Sequence, residues 1–348
     1  MSARQWPPTD GGPSSSPGAE APAEEAAAIP RALLDAVAAP LLARCTFPQG
    51  GGALWCAVSG GADSTALLAL AVAAGCAAAA FHVDHGLRQD SPAEGILVAM
   101  NAQRLGARFA GSRVRIAAGP NLEERARQAR LSALPPGAAT GHTADDQAET
   151  VMLNMLRGAG ASGLAGMRPG PRHPILALRR EETVAVCRRL GLEFVDDPTN
   201  AERTQRRNRV RHELLPLCAA IAERDVAAVL ARQARLFADD ADLLDALSTR
   251  IDPSSTAQLN AAPPPLARRA VRRWLQGSGP HPPSAAEVER VLSVARNEIL
   301  ATEVAGGRRV ARRRGRLSVV GPLRLESDAG DSASRADDGQ TSMSVTRA

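Results

Sequence analysis

The feature that most constrains the fold of this chain is a glycine-containing loop between a strand pattern and a helix pattern. The apolar run Ala53 to Val58 predicts a strand, and a helical pattern begins at Thr65. The loop reads Ser59-Gly60-Gly61-Ala62-Asp63-Ser64. Glycines let the backbone approach an anion closely, and a helix N-terminus presents free N–H groups. The pattern indicates a phosphate site, although the loop alone leaves open a flexible turn with a Ser or Asp cap.

An alternation of strands and helices continues from this loop through the first half of the chain. Strands are predicted at 53–58, 78–83, 108–116 and 138–141, and helices at 64–74, 92–106, 121–133 and 143–157. Strands that alternate with helices form parallel sheets. The fold class predicted is therefore α/β, with a Rossmann-like parallel sheet that binds ligands at the carboxyl ends of its strands.

The predicted catalytic domain covers residues 29–217. Its last elements are a helix at 183–191 and an arginine-rich segment, and we interpret Leu214-Leu215-Pro216 as the stop that closes it. A helical connector and a small α+β domain follow over 218–325. Their predicted elements are helices at 223–250, 266–276 and 284–296 and a hairpin within 300–320 that turns at Gly306-Gly307.

Composition narrows the function as well as the fold. All 42 basic residues are arginine, so the chain itself supplies no lysine nucleophile or Schiff base. The formal charge of +5, with arginine concentrated late in the chain, fits a nucleic acid better than a membrane. Five cysteines without a Cys-x-x-Cys pair fit neither a disulfide scaffold nor a zinc site.

The distribution of apolar residues bears on membrane association and on the two ends of the chain. No apolar stretch approaches the roughly 20 residues that cross a bilayer, so we expect no membrane association and a cytoplasmic protein. The segments 1–28 and 326–348 are polar and rich in small residues. Such segments bury too little apolar surface to fold, and we expect both tails to be disordered.

A cluster of acidic residues follows the fourth predicted strand. The string reads Gly141-His142-Thr143-Ala144-Asp145-Asp146-Gln147-Ala148-Glu149-Thr150. Thr143 is a suitable N-cap for the helix that begins here. Glu149 lies three residues after Asp146 and four after Asp145, so the carboxylates share one helix face. Such a group binds Mg²⁺ or grips an ammonium group; the plainer alternative is that acids stabilise the helix N-terminus through its dipole.

Two other segments carry polar residues near the predicted site. The second strand runs into His82-Val83-Asp84-His85-Gly86-Leu87-Arg88. That edge of a parallel sheet is where ligands bind, although a metal site or a packed His82 would also explain the histidines. The helix at 121–133 carries Arg125 and Arg130, for which an exposed ion-paired helix face is the alternative to substrate binding.

Arginine is densest just before the predicted end of the catalytic domain. The segment contains Arg203, Arg206, Arg207, Arg209 and Arg211. These are enough to contact several phosphates, while a run of charge is ordinarily a solvated face.

In chain order, these strings resemble a known superfamily and one family within it. The loop is similar to the Ser-Gly-Gly-x-Asp-Ser loop of the PP-loop ATP pyrophosphatases. The remaining strings are similar to those of the tRNA(Ile)-lysidine synthetases: those that begin at His82, Asn121, Gly141 and Leu156, then Asp196-Asp197-Pro198-Thr199-Asn200 and Arg207-Asn208-Arg209-Val210-Arg211. Leu131 replaces a tyrosine of that pattern, and His173 replaces an arginine.

The resemblance implies an ATP-dependent reaction on tRNA. ATP would react at the C2 oxygen of the wobble cytidine in the CAU anticodon of a tRNA(Ile), with loss of pyrophosphate, and free lysine would then attack C2 and expel AMP. The cofactors implied are ATP and Mg²⁺, and the partners are tRNA(Ile) and free L-lysine. We also expect that the chain can form a homodimer. The second domain would hold the tRNA through Arg268, Arg269, Arg272, Arg273 and the hairpin arginines 308–316.

Within that chemistry we expect particular roles for particular residues. The catalytic residues are Asp63, Asp146 and Glu149, and Asp63 also binds Mg²⁺, while Asp146 and Glu149 hold the ammonium groups of lysine or the metal. ATP binds Ser59, Gly60, Gly61, Ala62, Asp63 and Ser64. The substrates contact His85, Arg88, Arg125, Asp145, Asp146, Glu149, Arg207 and Arg211.

Two other functions stay open at this point. A PP-loop tRNA thiolase would need a sulfur-carrying cysteine, and none of the cysteines lies in a paired context. A non-catalytic RNA-binding relative would release no pyrophosphate from ATP, and would have little reason to keep Asp63, Asp146 and Glu149 together.

Overall fold

The computed structural model describes residues 27–84, 91–114, 122–195, 206–276 and 282–321. Its elements in chain order are α1 (Arg31–Leu42), β1 (Ala53–Ala57), α2 (Ala62–Ala73), β2 (Ala77–Asp84), α3 (Ser91–Arg104), β3 (Arg108–Arg113), α4 (Leu122–Ala133), β4 (Ala139–Thr140), α5 (Ala144–Leu156), α6 (Ala161–Leu164), α7 (Arg180–Arg189), α8 (Arg206–Arg209), α9 (Leu215–Ala222), α10 (Val226–Ser248), α11 (Thr256–Ala261), α12 (Pro264–Gln276), α13 (Ala285–Ala295), β5 (Ala301–Val304), β6 (Arg308–Arg313) and β7 (Arg316–Val320). Residues 1–26 and 326–348 of the predicted tails, the string at 196–200, and His85, Arg88, Asn121 and Arg203 lie outside the described residues.

The first sheet is parallel and has the strand order β3-β2-β1-β4. Strand β1 pairs with β2 through Ala53 and Ala77, and with β4 through Cys56 and Ala139. The predicted parallel α/β fold is confirmed. The chain moves outward from β1 to β3 and then returns to the other side of β1 for β4, so its direction reverses between β1 and β4. In open parallel sheets, ligands bind at this reversal point.

Small side chains let the helices pack closely on this sheet. Helix α2 is almost fully buried, with Leu67, Leu68 and Leu70 inaccessible to solvent, and β2 contributes the buried alanines Ala79 and Ala80. An aliphatic core of this kind fills space without aromatic side chains. Helix α1, which the sequence analysis did not predict, packs against α2 and α7.

The segment Leu214-Leu215-Pro216, interpreted from the sequence as the stop that closes the catalytic domain, lies within a continuous helix. Leu214 and Leu215 both have helical backbone angles, and the helix that begins at α8 continues through a π turn at Val210–Leu214 into α9. Proline is tolerated there because it stands in the first turn of α9, where its missing N–H is not required. The helix ends instead at Glu223, whose φ of 49° is left-handed.

The chain divides into two compact units, residues 1–242 and 243–348, and the division falls within α10. The sequence-based domain boundary at 217 lies earlier in the chain. The second unit has a core of aliphatic residues from α12, α13 and the second sheet, including Val271, Leu275 and Val291. That sheet is antiparallel, in the order β5-β6-β7.

The predicted hairpin is therefore only part of a three-stranded sheet. Gly306 and Gly307, with φ of 81° and 66°, form the predicted first turn. A second turn at Arg314-Gly315 separates β6 from β7, and both residues have positive φ. Arginine is uncommon in that conformation, so only the glycine could indicate this turn from the sequence.

Candidate active site

The phosphate loop and the acidic helix meet at the reversal point of the parallel sheet. The loop follows β1, and Gly141 to Thr143 connect β4 to α5. A Cβ atom on Gly141 would lie 2.8 Å from the carbonyl carbon and oxygen of Asp63 and 2.9 Å from Cα of Ser64. The two connections pack so closely that only glycine fits at position 141, and this contact fixes the loop relative to α5.

Internal hydrogen bonds give the loop its shape. The hydroxyl of Ser64 accepts from the N–H of Ser59 at 3.1 Å and donates to the carbonyl of Gly61 at 2.9 Å. Gly60 has a φ of 91°, which an L side chain rarely adopts. Its carbonyl accepts from Val195 N–H at 2.9 Å. The loop therefore leads directly into the N-terminus of α2, where backbone N–H groups can bind an anion.

The buried His82 supports the strand that carries the loop. Its Nδ1 atom lies 2.9 Å from the carbonyl oxygen of Val58, the residue before Ser59. His82 is 5% exposed, so this side chain packs between strands and helix α3. His82 is therefore a packed side chain, which is one of the alternatives left open by the sequence. Among the described residues, no group of three or more acidic, histidine or cysteine side chains could hold a metal ion.

Asp63 stands in the first turn of α2 and contacts helix α7. Its Oδ2 accepts from Arg180 Nε at 3.1 Å, and its Oδ1 accepts from the hydroxyl of Thr183. Burial raises the pKa of Asp63 above its usual value, and the bonds from Thr183 and Arg180 offset that effect only in part. This carboxylate is therefore poorly solvated and is stabilised by any further positive charge.

Asp146 links the start of α5 to two arginines. Its Oδ2 accepts from Thr143 N–H at 2.8 Å, which confirms Thr143 as the N-cap, and its Oδ1 lies 3.1 Å from both Arg180 and Arg207. Burial alone would raise the pKa of Asp146, but Arg180 and Arg207 hold it below its usual value. Asp146 therefore stabilises the N-terminus of α5, where the helix dipole favours an acid, and it is also a member of the acidic cluster.

Asp145 forms a two-pronged ion pair with Arg179. The distances are 3.1 Å from Arg179 Nε to Oδ2 and 2.9 Å from Arg179 Nη2 to Oδ1, and the N–H of Arg180 donates to Oδ2 at 2.8 Å. Burial alone would raise the pKa of Asp145, but these bonds hold it below its usual value. Arg179 also contacts Asp225 at the start of α10, so one guanidinium joins α5 to α10.

Glu149 is the most deeply buried acid of the site, with 2% of its side chain exposed. Its Oε2 accepts from Arg207 Nε at 2.6 Å. Its Oε1 accepts no hydrogen bond from the described residues, and lies 3.5 Å from Arg211 and 3.6 Å from Arg180. A buried carboxylate oxygen without a hydrogen-bond partner is costly, and it is a candidate acceptor for a ligand.

A cavity of about 200 Å³ opens beside these groups. Its polar lining combines both signs of charge, and its remaining wall is aliphatic. The lining residues are Asp145, Glu149, Arg179, Arg180, Arg211, Leu215, Pro216, Ala219, Asp225, Val226 and Ala227. Burial and repulsion from Arg180 lower the pKa of Arg211, so this guanidinium is less well paired than its neighbours. The cavity thus offers an unbonded carboxylate oxygen and a weakly paired cation.

The structure brings together most of the predicted site. Asp63, Asp146 and Glu149 form one ion-paired cluster with Arg180 and the predicted Arg207 and Arg211. The predicted Asp145 lies beside this cluster and pairs with Arg179. Arg125 lies on α4 and is half-buried. The individual roles of these residues, and of His85 and Arg88, stay predictions.

Sequence reasoning missed Arg179, Arg180 and Thr183, which together engage Asp63, Asp145 and Asp146. A usable signal was present. Positive charge at a helix N-terminus opposes the helix dipole, yet two arginines begin α7. Such a pair is favourable only where acids or a bound anion lie opposite.

The second unit carries the arginines predicted to hold tRNA, and they fall into two groups. On α12, Arg268 pairs with Glu289, Arg269 with Asp245, and Arg273 donates to Ser248. On the second sheet, Arg309 and Arg313 of β6 are exposed. The sheet arginines are therefore better placed than the α12 arginines to contact an external phosphate.

None of the described helices combines the length and the low polarity that a membrane-crossing helix needs.

The parallel sheet, the Ser-Gly-Gly-x-Asp-Ser loop at its reversal point and the buried ion cluster define a nucleotide-binding domain of the PP-loop class. A family model described as a PP-loop domain matches residues 36–218, and one described as the TilS substrate-binding domain matches residues 255–318. A protein of Nocardia farcinica named tRNA(Ile)-lysidine synthase is 40% identical over 254 residues, which cover 68% of this chain and 80% of that one. The chain belongs to the tRNA(Ile)-lysidine synthase family.

A second sequence comparison supports the same family, whereas the similarity to solved structures is weak. A protein of the same name from Mycolicibacterium paratuberculosis is 38% identical over 262 residues, 71% of this chain and 82% of that one. Among solved structures, a U34-tRNA thiolase from Methanococcus maripaludis gives a TM-score of 0.42 at 16% identity, covering 59% of this chain and 78% of that one. That structural likeness is too low to bear on function.

Proposed function

We propose that this chain joins free lysine to C2 of the wobble cytidine in the CAU anticodon of a tRNA(Ile), using ATP. The observation that carries the proposal is that Arg180 contacts both Asp63 of the phosphate loop and Glu149 of the cavity. The guanidinium of Arg180 thus borders both the proposed ATP site at the loop and the cavity proposed for lysine. Membership of the lysidine synthase family supports the same reaction.

ATP would lie with its phosphates on the loop 59–64 and the N-terminus of α2. Asp63 is the residue that would hold Mg²⁺, and its buried carboxylate, with a raised pKa, favours a cation. Mg²⁺ usually takes one or two protein carboxylates and completes its shell with phosphate oxygens and water, which fits a single Asp63. When bound, the ion would neutralise charge that develops on the phosphates.

Lysine would occupy the cavity beside α5. Glu149 Oε1, which accepts no hydrogen bond from the described residues, would hold an ammonium group, and Asp145 lies on the same wall. Arg211 would receive the carboxylate, and the aliphatic residues Leu215 and Val226 would contact the carbon stem. Asp146 would keep Arg180 and Arg207 in place, because its Oδ1 contacts both.

The bond changes then follow in two steps. The C2 oxygen of cytidine attacks the α-phosphorus of ATP, and the bond to the β-phosphate breaks to release pyrophosphate. The deprotonated amine of lysine attacks C2, the C2–O bond breaks, and AMP leaves with the oxygen. Backbone N–H groups of the loop would stabilise the charge on the phosphates during the first step.

The second unit would bind the body of the tRNA. The exposed Arg309 and Arg313 support this role because phosphate contacts position a nucleic acid without reading its sequence. We further propose that the protein can act as a homodimer, which sedimentation of the purified chain would test.

A thiolase reaction receives no support from the cysteines. Burial raises the pKa of Cys45 to about 11 and that of Cys187 to about 12, and the pKa of Cys56 is shifted in the same direction. Reactive cysteines have lowered pKa values because the thiolate is the nucleophile.

The direct test is nucleoside mass analysis of tRNA(Ile) after incubation with the protein, ATP and lysine. We expect a cytidine that has gained lysine, with release of pyrophosphate and AMP in equal amounts. Reactions without lysine, and with a methionine tRNA that also carries CAU, are the controls. ATP and tRNA binding without any modified cytidine or pyrophosphate would contradict the proposal and favour a non-catalytic RNA-binding role.

A further inference from the structure

A π turn lies in the helix that carries two of the site arginines. The N–H of Leu215 donates to the carbonyl of Val210, five residues back, where an α-helix would use Arg211, four residues back. The backbone angles of Leu214 (φ −75°, ψ −50°) and Leu215 (φ −62°, ψ −43°) remain helical. The chain is therefore one continuous helix with an extra residue in one turn, and π turns of this kind are frequent at functional sites.

Pro216 gives a physical reason for the turn. In a regular α-helix the N–H of residue 216 would donate to the carbonyl of His212, but proline has no N–H, and its ring clashes with the carbonyl four residues earlier. Widening the preceding turn by one residue moves that carbonyl aside. The proline thus changes the register of the helix without ending it.

The turn has a consequence for the arginines. Arg207 lies in α8 and Arg211 lies within the π turn that follows, so the turn affects the position of Arg211 along the helix. Arg207 and Arg211 both point at Glu149, with Nε atoms 2.6 Å from Oε2 and 3.5 Å from Oε1. Contacts between the turn and α5 hold this arrangement.

The same helix face continues along the cavity. Arg211, Leu215, Pro216 and Ala219 all line it, so the residues on either side of the π turn form one wall. A change in helix register at residue 216 would turn Arg211 relative to Leu215 and Ala219. Arg211, whose pKa is lowered by burial and by repulsion from Arg180, is thus a member of the π turn itself.

We propose that Pro216 is a positioning residue for the amino-acid cavity, because the π turn that it imposes holds Arg211 where the carboxylate of the substrate binds. This inference rests on the proposed function. It assigns to a proline in the wall of the cavity a role in the affinity for lysine, while ATP binding depends on the loop that follows β1 and stays independent of Pro216.

The test compares steady-state lysidine formation by the full-length chain and its Pro216→Ala variant. Alanine restores the N–H and favours the regular helix. We expect the KM for lysine to rise about tenfold, equivalent to the loss of one charge-assisted hydrogen bond, with the KM for ATP unchanged. Pro40→Ala is the matched control, because Pro40 also lies inside a helix of the first unit, α1, and should leave both constants unchanged.

A double-mutant cycle separates positioning from a general structural effect. If Pro216 acts through Arg211, Pro216→Ala adds little to the rise in lysine KM that Arg211→Met already causes. Fully additive effects would overturn the proposal. Pro216→Gly restores the N–H in a second way, and a wild-type KM for lysine in whichever of the two Pro216 variants folds would also overturn it. A wild-type chain that makes no lysidine would overturn the proposed function, whereas an active wild type with an unchanged Pro216→Ala variant would overturn the positioning role alone.

Discussion

The Nε atom of Arg180 lies 3.1 Å from Oδ2 of Asp63, which joins the start of α7 to the phosphate loop. The same guanidinium lies 3.1 Å from Asp146 and 3.6 Å from Glu149. One cation therefore offsets the mutual repulsion of three carboxylates. Because ATP phosphates would enter beside it, Arg180 is also well placed to shift from an acid to a phosphate.

Replacement of Arg180 by methionine should reduce kcat/KM for lysidine formation by about a hundredfold or more, since it leaves buried carboxylates without their shared partner. The measurement is the initial rate with limiting ATP and with limiting lysine, and both should be affected. Arg188→Met is the control, because Arg188 is an exposed arginine of the same helix. A similar reduction in the control would indicate damage to α7 as a whole.

Gly141→Ala should weaken ATP binding by about tenfold to a hundredfold. The new Cβ would lie 2.8 Å from backbone atoms of Asp63, and neither backbone can move without displacing β4 or the loop. Overpacking of this kind costs about 1–3 kcal/mol. Gly52→Ala is the control, since a Cβ there meets only Pro48 at an ordinary 3.6 Å. Calorimetric titration with ATP distinguishes them, and equal affinities would show that the loop tolerates the shift.

The parts of this architecture that depend on local pattern could be predicted from the sequence. Strands β1 and β2 coincide with apolar runs, and the loop residues Gly60 and Gly61 are visible as glycines. The acids of α5 are three and four residues apart, which already places them on one face. Thr143 is recognisable as a cap because capping depends on neighbours in the chain.

The parts that depend on contacts between distant segments could not. Arg179 and Arg180 meet the acids of α5 only because α7 packs against α2, a contact over more than a hundred residues of chain. Proline commonly breaks a helix, and Pro216 is interpreted from the sequence as part of the stop that closes the catalytic domain, whereas the helix continues past it after a π turn. The effect of Pro216 depends on the hydrogen-bond register of the helix, which the amino-acid composition does not reveal.

Acidification should destabilise the first unit partly through Asp145. Its folded-state pKa lies below the unfolded value, so its ion pair with Arg179 contributes stability that is complete above the unfolded pKa of about 4 and is lost as the pH falls further. Asp145→Asn should lower the free energy of unfolding by about 1–3 kcal/mol at pH 7, and the difference from wild type should shrink below a pH of about 4. Urea unfolding of the wild type and of Asp145→Asn, at pH 7 and below a pH of about 4, measures this difference in the free energy of unfolding. Asp240→Asn, at an exposed position on α10, should show no such difference.

Glu149→Gln should weaken lysine binding while leaving ATP binding nearly intact. The substitution keeps the shape of a side chain that is 2% exposed, but it removes the charge that Oε1 offers to an ammonium group. We expect the KM for lysine to rise by about tenfold to a hundredfold. Glu181→Gln, at an exposed position on α7, is the control. An unchanged lysine saturation curve in Glu149→Gln would exclude this acid from the lysine site, and the same measurement on Asp146→Ala tests its supporting role.

The exposed arginines of β6 should contribute to tRNA affinity by binding phosphates. Arg309 and Arg313 are both exposed on the second sheet, and neither forms an ion pair with another described residue. Replacing each by glutamine should weaken tRNA binding and reduce the dependence of log affinity on log salt by a little under one for each phosphate that is no longer neutralised. Arg268→Gln is the control, because Arg268 is paired with Glu289 within the same unit. Filter binding at several salt concentrations separates the outcomes. Weaker binding with an unchanged salt slope would mean that these arginines act on the folding of the sheet, since the slope counts the ions that neutralised phosphates release.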